Sequence, residues 1–157
     1  MPPPFGGANP LFVASRLFEC ARAASMLRMT QNAILVVTSL LTILLSSFHL
    51  ADDVVHGFEP GGPSNYTGVM IMAVYLFATL MLAERRWAHV IVLIGSIGGA
   101  GVPYLHMMGK GLVGPRIANA SGVFFWVWTL LALGVTASVS AVLAARGLWS
   151  LRRSQSR

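Results

Sequence analysis

Four runs of apolar residues, 18 to 24 residues long, set what this chain can fold into. They lie at about 32–51, 66–83, 88–108 and 122–145. A bilayer core of ~30 Å needs about 20 residues at a helical rise of 1.5 Å, with a usual range of ~17–25. Each run meets that length, and none carries the polar face that a helix on a water-soluble core requires. The alternating segments of about ten residues that build a membrane β-barrel do not occur. The expected fold is therefore all-α: a polytopic membrane protein with four transmembrane helices in an antiparallel bundle.

Composition agrees with this. Of 157 residues, 55% are apolar and 10% are charged; a soluble domain carries about 25% charged residues. Mean hydropathy is +0.70. The formal charge of +6 invites a nucleic-acid partner, but the bases sit at the ends of apolar runs rather than in one patch, which excludes that class. The single cysteine, Cys20, leaves no internal disulfide and no cysteine-built metal site.

Three regions are expected. Residues 1–30 form an N-terminal segment that is disordered or lies on the membrane surface: MPPPFGGANP is turn-rich, and 11–29 suit a short surface helix with Arg16, Arg22 and Arg28 interspersed. A translation start at Met26 or Met29 is the alternative. Residues 31–146 hold the four spans, and 147–157 form a basic tail with Trp149, suited to anionic lipid. Lysine and arginine bias sets the orientation. Nine bases (Arg16, Arg22, Arg28, Arg85, Arg86, Arg146, Arg152, Arg153, Arg157) fall on one side, and Lys110 and Arg116 on the other. Both termini are then cytoplasmic, in a multi-pass cell-membrane protein, and loops 52–65 and 109–121 are exoplasmic.

The exoplasmic end of the first run concentrates ionisable groups. His49, Asp52, Asp53 and His56 recur at i, i+3, i+4 and i+7, which puts them on one helical face. Imidazole and carboxylate at that spacing suit a divalent metal. Gly57 is a C-terminal stop, and EPGG follows. Two carboxylates at a helix C-terminus oppose its dipole by a few tenths of a kcal/mol, which a cation relieves. His106, at the outer end of the third run, lies at the same depth as His49 and His56. The candidate metal set is thus His49, Asp52, Asp53, His56 and His106. Glu59, Lys110 and Arg116 share that side, and salt bridges from Asp52 or Asp53 to Lys110 or Arg116 are the rival use of the acids. The plainest account of the polarity is a helix leaving the membrane.

In the third run, Gly95 and Gly99 make a GxxxG pattern and Pro103 removes a backbone donor, so close helix packing with a bend is expected there. Trp126 and Trp128 read as an aromatic belt, and His89 as an interfacial histidine. No run carries a charge at its middle.

The stretch FHLADDVVHGFEPGG (48–62), with FFWVWTLLALGVTASVSAVLAARGLWSLRR (124–153), resembles a group of small bacterial, often actinobacterial, membrane proteins with four spans that share HLxDDxxxGxEPGG. The resemblance covers about residues 30–153. It implies fold and membrane location and brings no catalytic residues. In that group the position of His56 is often another residue such as Arg, which leaves His49, Asp52, Asp53 and Glu59 as the firmer core. Three functional expectations follow. The first is a structural or accessory subunit that binds lipid and another membrane protein, or a second copy of itself, through the third helix and the exoplasmic loop. The second is a metal- or haem-binding membrane protein. The third is a small oligomeric transporter. No residue pattern assigns an enzymatic activity or a particular cofactor.

Overall fold

A computed structural model describes residues 10–57, 61–81, 85–110 and 121–155. Among these, the chain forms helices α1 (Pro10–Val55), α2 (Tyr66–Met81), α3 (Arg86–Lys110) and α4 (Val123–Gln155), with a 3-10 turn at Pro63–Asn65. No strand occurs among them. Three stretches, Ala14–Val55, Arg86–Met107 and Val123–Arg153, are long and apolar enough to cross a membrane; α2 is shorter.

α1 opens on Pro10, whose fixed φ and missing donor suit a first helical position. It runs 46 residues, or about 69 Å. The helix of residues 11–29 continues into the first apolar run without a break. The described side chains between 14 and 30 are exposed. α1 ends where Gly57 adopts φ +68°, and the Gly57 amide donates to the Val54 carbonyl at 3.1 Å. The stop expected at Gly57 is therefore present. Residues 1–9 lie outside the described part.

Side-chain bonds set the helix directions. Along α1 and α4, Asp53 meets Trp126, Thr38 meets Ser140 and Gln31 meets Leu143, so the two are antiparallel. His49 meets His106, and one small cavity is lined by both Ser39 and His89, so α1 and α3 are parallel. Tyr75 bonds Ser96 at 2.7 Å and Ser47 bonds Met72 at 3.4 Å, which fixes α2 antiparallel to both.

Small residues hold these helices close. A Cβ on Gly95 would meet the Tyr75 ring at 3.0 Å; one on Gly99 would meet the Ala137 Cβ at 3.2 Å and Thr42 Cγ2 at 3.4 Å. The GxxxG pattern thus packs within the chain, Gly95 against α2 and Gly99 between α1 and α4. α3 continues through Pro103, whose ring sits where a Cβ on Gly134 would come within 2.9 Å of it.

The interior holds many polar groups. Among the described residues, nine buried polar or charged residues stand beside ten buried apolar ones, while Ile34, Val37, Leu41, Leu44 and Phe48 are exposed along the outer face of α1. Water would penalise that outer stripe; hydrocarbon would not. The inner face of α1 carries Leu35, Ser39, Thr42, His49 and Asp53 at the 3–4 spacing of a packed seam. Thr42 and Ser46 donate to the carbonyls four residues back, which satisfies their hydroxyls inside the bundle.

Candidate metal centre

The end of α1 brings its inner face against α3 and α4. His49 and Asp53 are both 5% exposed. One helical turn apart, they point the same way, with His49 Nε2 3.6 Å from Asp53 Oδ2. His106 comes in from α3, its Nε2 3.2 Å from His49 Nε2. One donor atom from each of His49, Asp53 and His106 lies within 4.8 Å of the others.

Trp126, from the first turn of α4, closes the group. It is 1% exposed, and its indole Nε1–H donates to Asp53 Oδ1 at 2.6 Å. That bond occupies one carboxylate oxygen and leaves Oδ2 turned toward His49. The Trp126 ring also packs edge-on against His106, at 5.1 Å and 80°, and tilted against His49 at 5.4 Å. Trp126 is therefore not a belt residue, whereas Trp128 is 60% exposed, as a belt residue is. The seam Trp126, Leu130, Leu133, Ala137, Ser140, Ala144, spaced three and four residues apart, was the sequence signal that Trp126 faces inward.

The short nitrogen–nitrogen approach carries chemical information. Two imidazole lone pairs cannot face each other at 3.2 Å without repulsion. Either an N–H of one ring donates to the lone pair of the other, for which neutral tautomers suffice, or a metal ion bound to both lies between them. With metal–nitrogen bonds of ~2.0–2.1 Å, nitrogens 3.2 Å apart subtend about 100–106° at the ion, close to tetrahedral. The 3.6 Å pair His49–Asp53 subtends about 120° by the same reckoning. The widest separation in the set, up to 4.8 Å, exceeds the ~3.4 Å that two such bonds span at a tetrahedral angle, so closing the set needs a side-chain movement of about 1.4 Å. Haem fits less well. An iron between two imidazoles holds their nitrogens ~4 Å apart with a macrocycle between the rings, whereas these rings are perpendicular, with centroids 5.1 Å apart.

Asp52 and His56 form a second pair. His56 Nδ1 lies 3.0 Å from the Asp52 carbonyl, which only accepts, so Nδ1 carries the proton. The same nitrogen is 3.3 Å from Asp52 Oδ1. This pair faces Gly122, where a Cβ would come within 2.9 Å of His56 Cε1. The expected four-residue face is thus divided: His49 and Asp53 join His106, while Asp52 and His56 pack at the start of α4. Asp52 Oδ2 and His49 Nδ1 are buried without a hydrogen-bond partner among the described residues. Glu59 and Arg116 lie outside the described residues, as does the side chain of Lys110, the last residue of α3.

His89 departs from its expected interfacial place. It is 4% exposed, and its Nδ1–H donates to the Arg85 carbonyl at 3.2 Å. Ser39, fully buried, has an unpartnered hydroxyl beside a cavity of about 10 Å³ that Asn32, Thr79 and His89 also line.

No family model matches the chain, and no curated protein or solved structure matches it.

Proposed function

We propose that this chain is a four-span membrane protein whose exoplasmic end binds one divalent transition-metal ion through His49, Asp53 and His106. The observation that carries the reading is the convergence of two imidazole nitrogens, 3.2 Å apart, on a locus beside a carboxylate. Two nitrogens and one oxygen make a donor set suited to Zn²⁺, Fe²⁺ or Mn²⁺, with a further position left for water or substrate. Trp126 supports the carboxylate from behind, as outer partners of metal ligands do. α2 would be the fourth span. It is antiparallel to α3, four residues separate it from the start of that helix, and it buries Tyr75, Ala78 and Thr79 in the bundle. Its 16 residues reach about 24 Å, a shortfall that local thinning of the bilayer absorbs. The basic residues support cytoplasmic termini. A bundle of this kind can still serve a partner protein; the buried grouping of His49, Asp53 and His106 supports the ion.

The test is metal analysis of the full-length protein purified in detergent and loaded separately with Zn²⁺, Fe²⁺ or Mn²⁺ after chelation. About one equivalent is expected, and His49→Ala and His106→Ala should each abolish it while far-UV circular dichroism is retained. Absence of a stoichiometric ion under all three loadings would overturn the metal reading and leave a shared proton between the two rings.

A further inference from the structure

At the opposite end of the bundle, α1, α3 and α4 line a partly open cavity of about 170 Å³. That is more than ten times the ~10–15 Å³ that admits a water, and it has room for a tetrahedral oxyanion. Arg28, Gln31, Asn32, His89 and Ser150 line it, and no carboxylate does among the described residues. Arg85 and Arg86 at the start of α3, and Arg146, Arg152 and Arg153 toward the end of α4, belong to the same ends of their helices but do not line it.

The polar groups of this cavity are already sorted by their bonds. Gln31 Nε2 donates to the Leu143 carbonyl at 3.5 Å, and the Ser150 hydroxyl donates to the Gly147 carbonyl at 2.9 Å. His89 is turned by its Nδ1–H bond to the Arg85 carbonyl, so its Nε2 edge rests against Gly147, another lining residue. Only a glycine leaves room there, because a Cβ would overlap His89 Cδ2 and Nε2. Arg28 makes no ion pair among the described residues, and its planar guanidinium offers five donors. The Asn32 amide adds two more. With Nδ1 engaged on the Arg85 carbonyl, Nε2 is the His89 nitrogen left to meet a ligand in the cavity.

We propose that this cavity binds a phosphate oxyanion, held by Arg28, Asn32 and His89. The shared chemistry is a phosphate group with net negative charge. A headgroup of an anionic phospholipid and a soluble phosphate are its two sources. The site is separate from the metal ligands, so the failure of either proposal leaves the other standing.

The test uses the full-length protein in detergent. Binding of phosphatidylglycerol, of phosphatidylcholine with the same chains and of inorganic phosphate is measured by native mass spectrometry and by thermal melting. Phosphatidylglycerol is expected to bind better than phosphatidylcholine. Arg28→Gln and His89→Gln should each weaken it about tenfold or more, the effect of losing a charge-assisted hydrogen bond. Arg152→Gln, which removes a charge that does not line the cavity, should weaken it less than about threefold. Protection by inorganic phosphate with the same dependence on Arg28 and His89 would assign a soluble source, and protection by phosphatidylglycerol alone would assign the headgroup. If Arg28→Gln, with a melting temperature like that of the wild type, loses no more binding than Arg152→Gln, or if neither phosphate source binds, the proposal is wrong.

Discussion

Trp126→Phe isolates one bond at the metal centre. The substitution keeps an aromatic ring in the seam and deletes the indole N–H that reaches Asp53 Oδ1 at 2.6 Å. Both partners are nearly sealed, at 1% and 5% exposure, so water cannot easily replace the lost donor. In soluble proteins a hydrogen bond to a charged group contributes about 1.5–3 kcal/mol. In membrane bundles interhelical bonds reach about 1.7 kcal/mol at most, because the unfolded chain in the membrane also finds partners. The membrane reference applies here, and a stability loss of about 0.6–1.7 kcal/mol is expected. Metal affinity should fall about 10–100-fold, the usual effect of losing an outer partner. That corresponds to about 1.4–2.7 kcal/mol, the same order as the lost bond. Stability is read by denaturant unfolding in mixed micelles, followed by far-UV circular dichroism because the probe must not depend on tryptophan. Affinity is read by competition with a chelating dye. Wild-type affinity in Trp126→Phe would refute the argument that this indole orients the carboxylate, and if stability alone fell, Trp126 would be a packing residue and nothing more.

Two further outcomes follow from other parts of the bundle. Gly147→Ala should destabilise the protein by about 1–3 kcal/mol, because its Cβ enters the space of His89; the double variant Gly147→Ala/His89→Ala should recover most of that loss in a thermal melt, and simple additivity of the two changes would show that the rings and backbone do not meet as described. Cysteine-accessibility labelling should find loop 52–65 reactive from outside the cell and residue 85 only after permeabilisation, and the reverse pattern would invert the proposed topology.

Much of the architecture was legible along the chain, because it depends on one-dimensional quantities. Apolar runs long enough for ~30 Å of hydrocarbon, bases at alternate ends and a Gly57 stop before EPGG need no knowledge of partners. The His49–Asp53 pair also belongs to this class, since i and i+4 share a helical face in any α-helix. The same periodicity argument went too far when it joined Asp52 and His56 to that pair. A face shared on one helix is about half a turn wide, and neighbouring helices decide which part of it is sealed.

Tertiary structure decided the rest. His106 and Trp126 are 57 and 73 residues from the α1 groups they meet. Depth in the membrane placed His106 level with His49, but depth is shared by every residue at that end, whichever way it points. Rotation and register pick the partners. Gly99 against Ala137 and Thr42, and Pro103 against Gly134, fix these by letting backbones approach on one side only. His89 was hidden for the same reason: a polar residue near a span end looks interfacial until the rotation of its helix turns it inward. The sequence by itself determined that four apolar helices form among the described residues and that the first stops at Gly57, through transfer of apolar surface from water and local backbone preference, while α1 and α4 run on beyond their apolar stretches. Which polar groups face one another was settled by close packing between helices, a property of pairs of surfaces that no single stretch of chain contains.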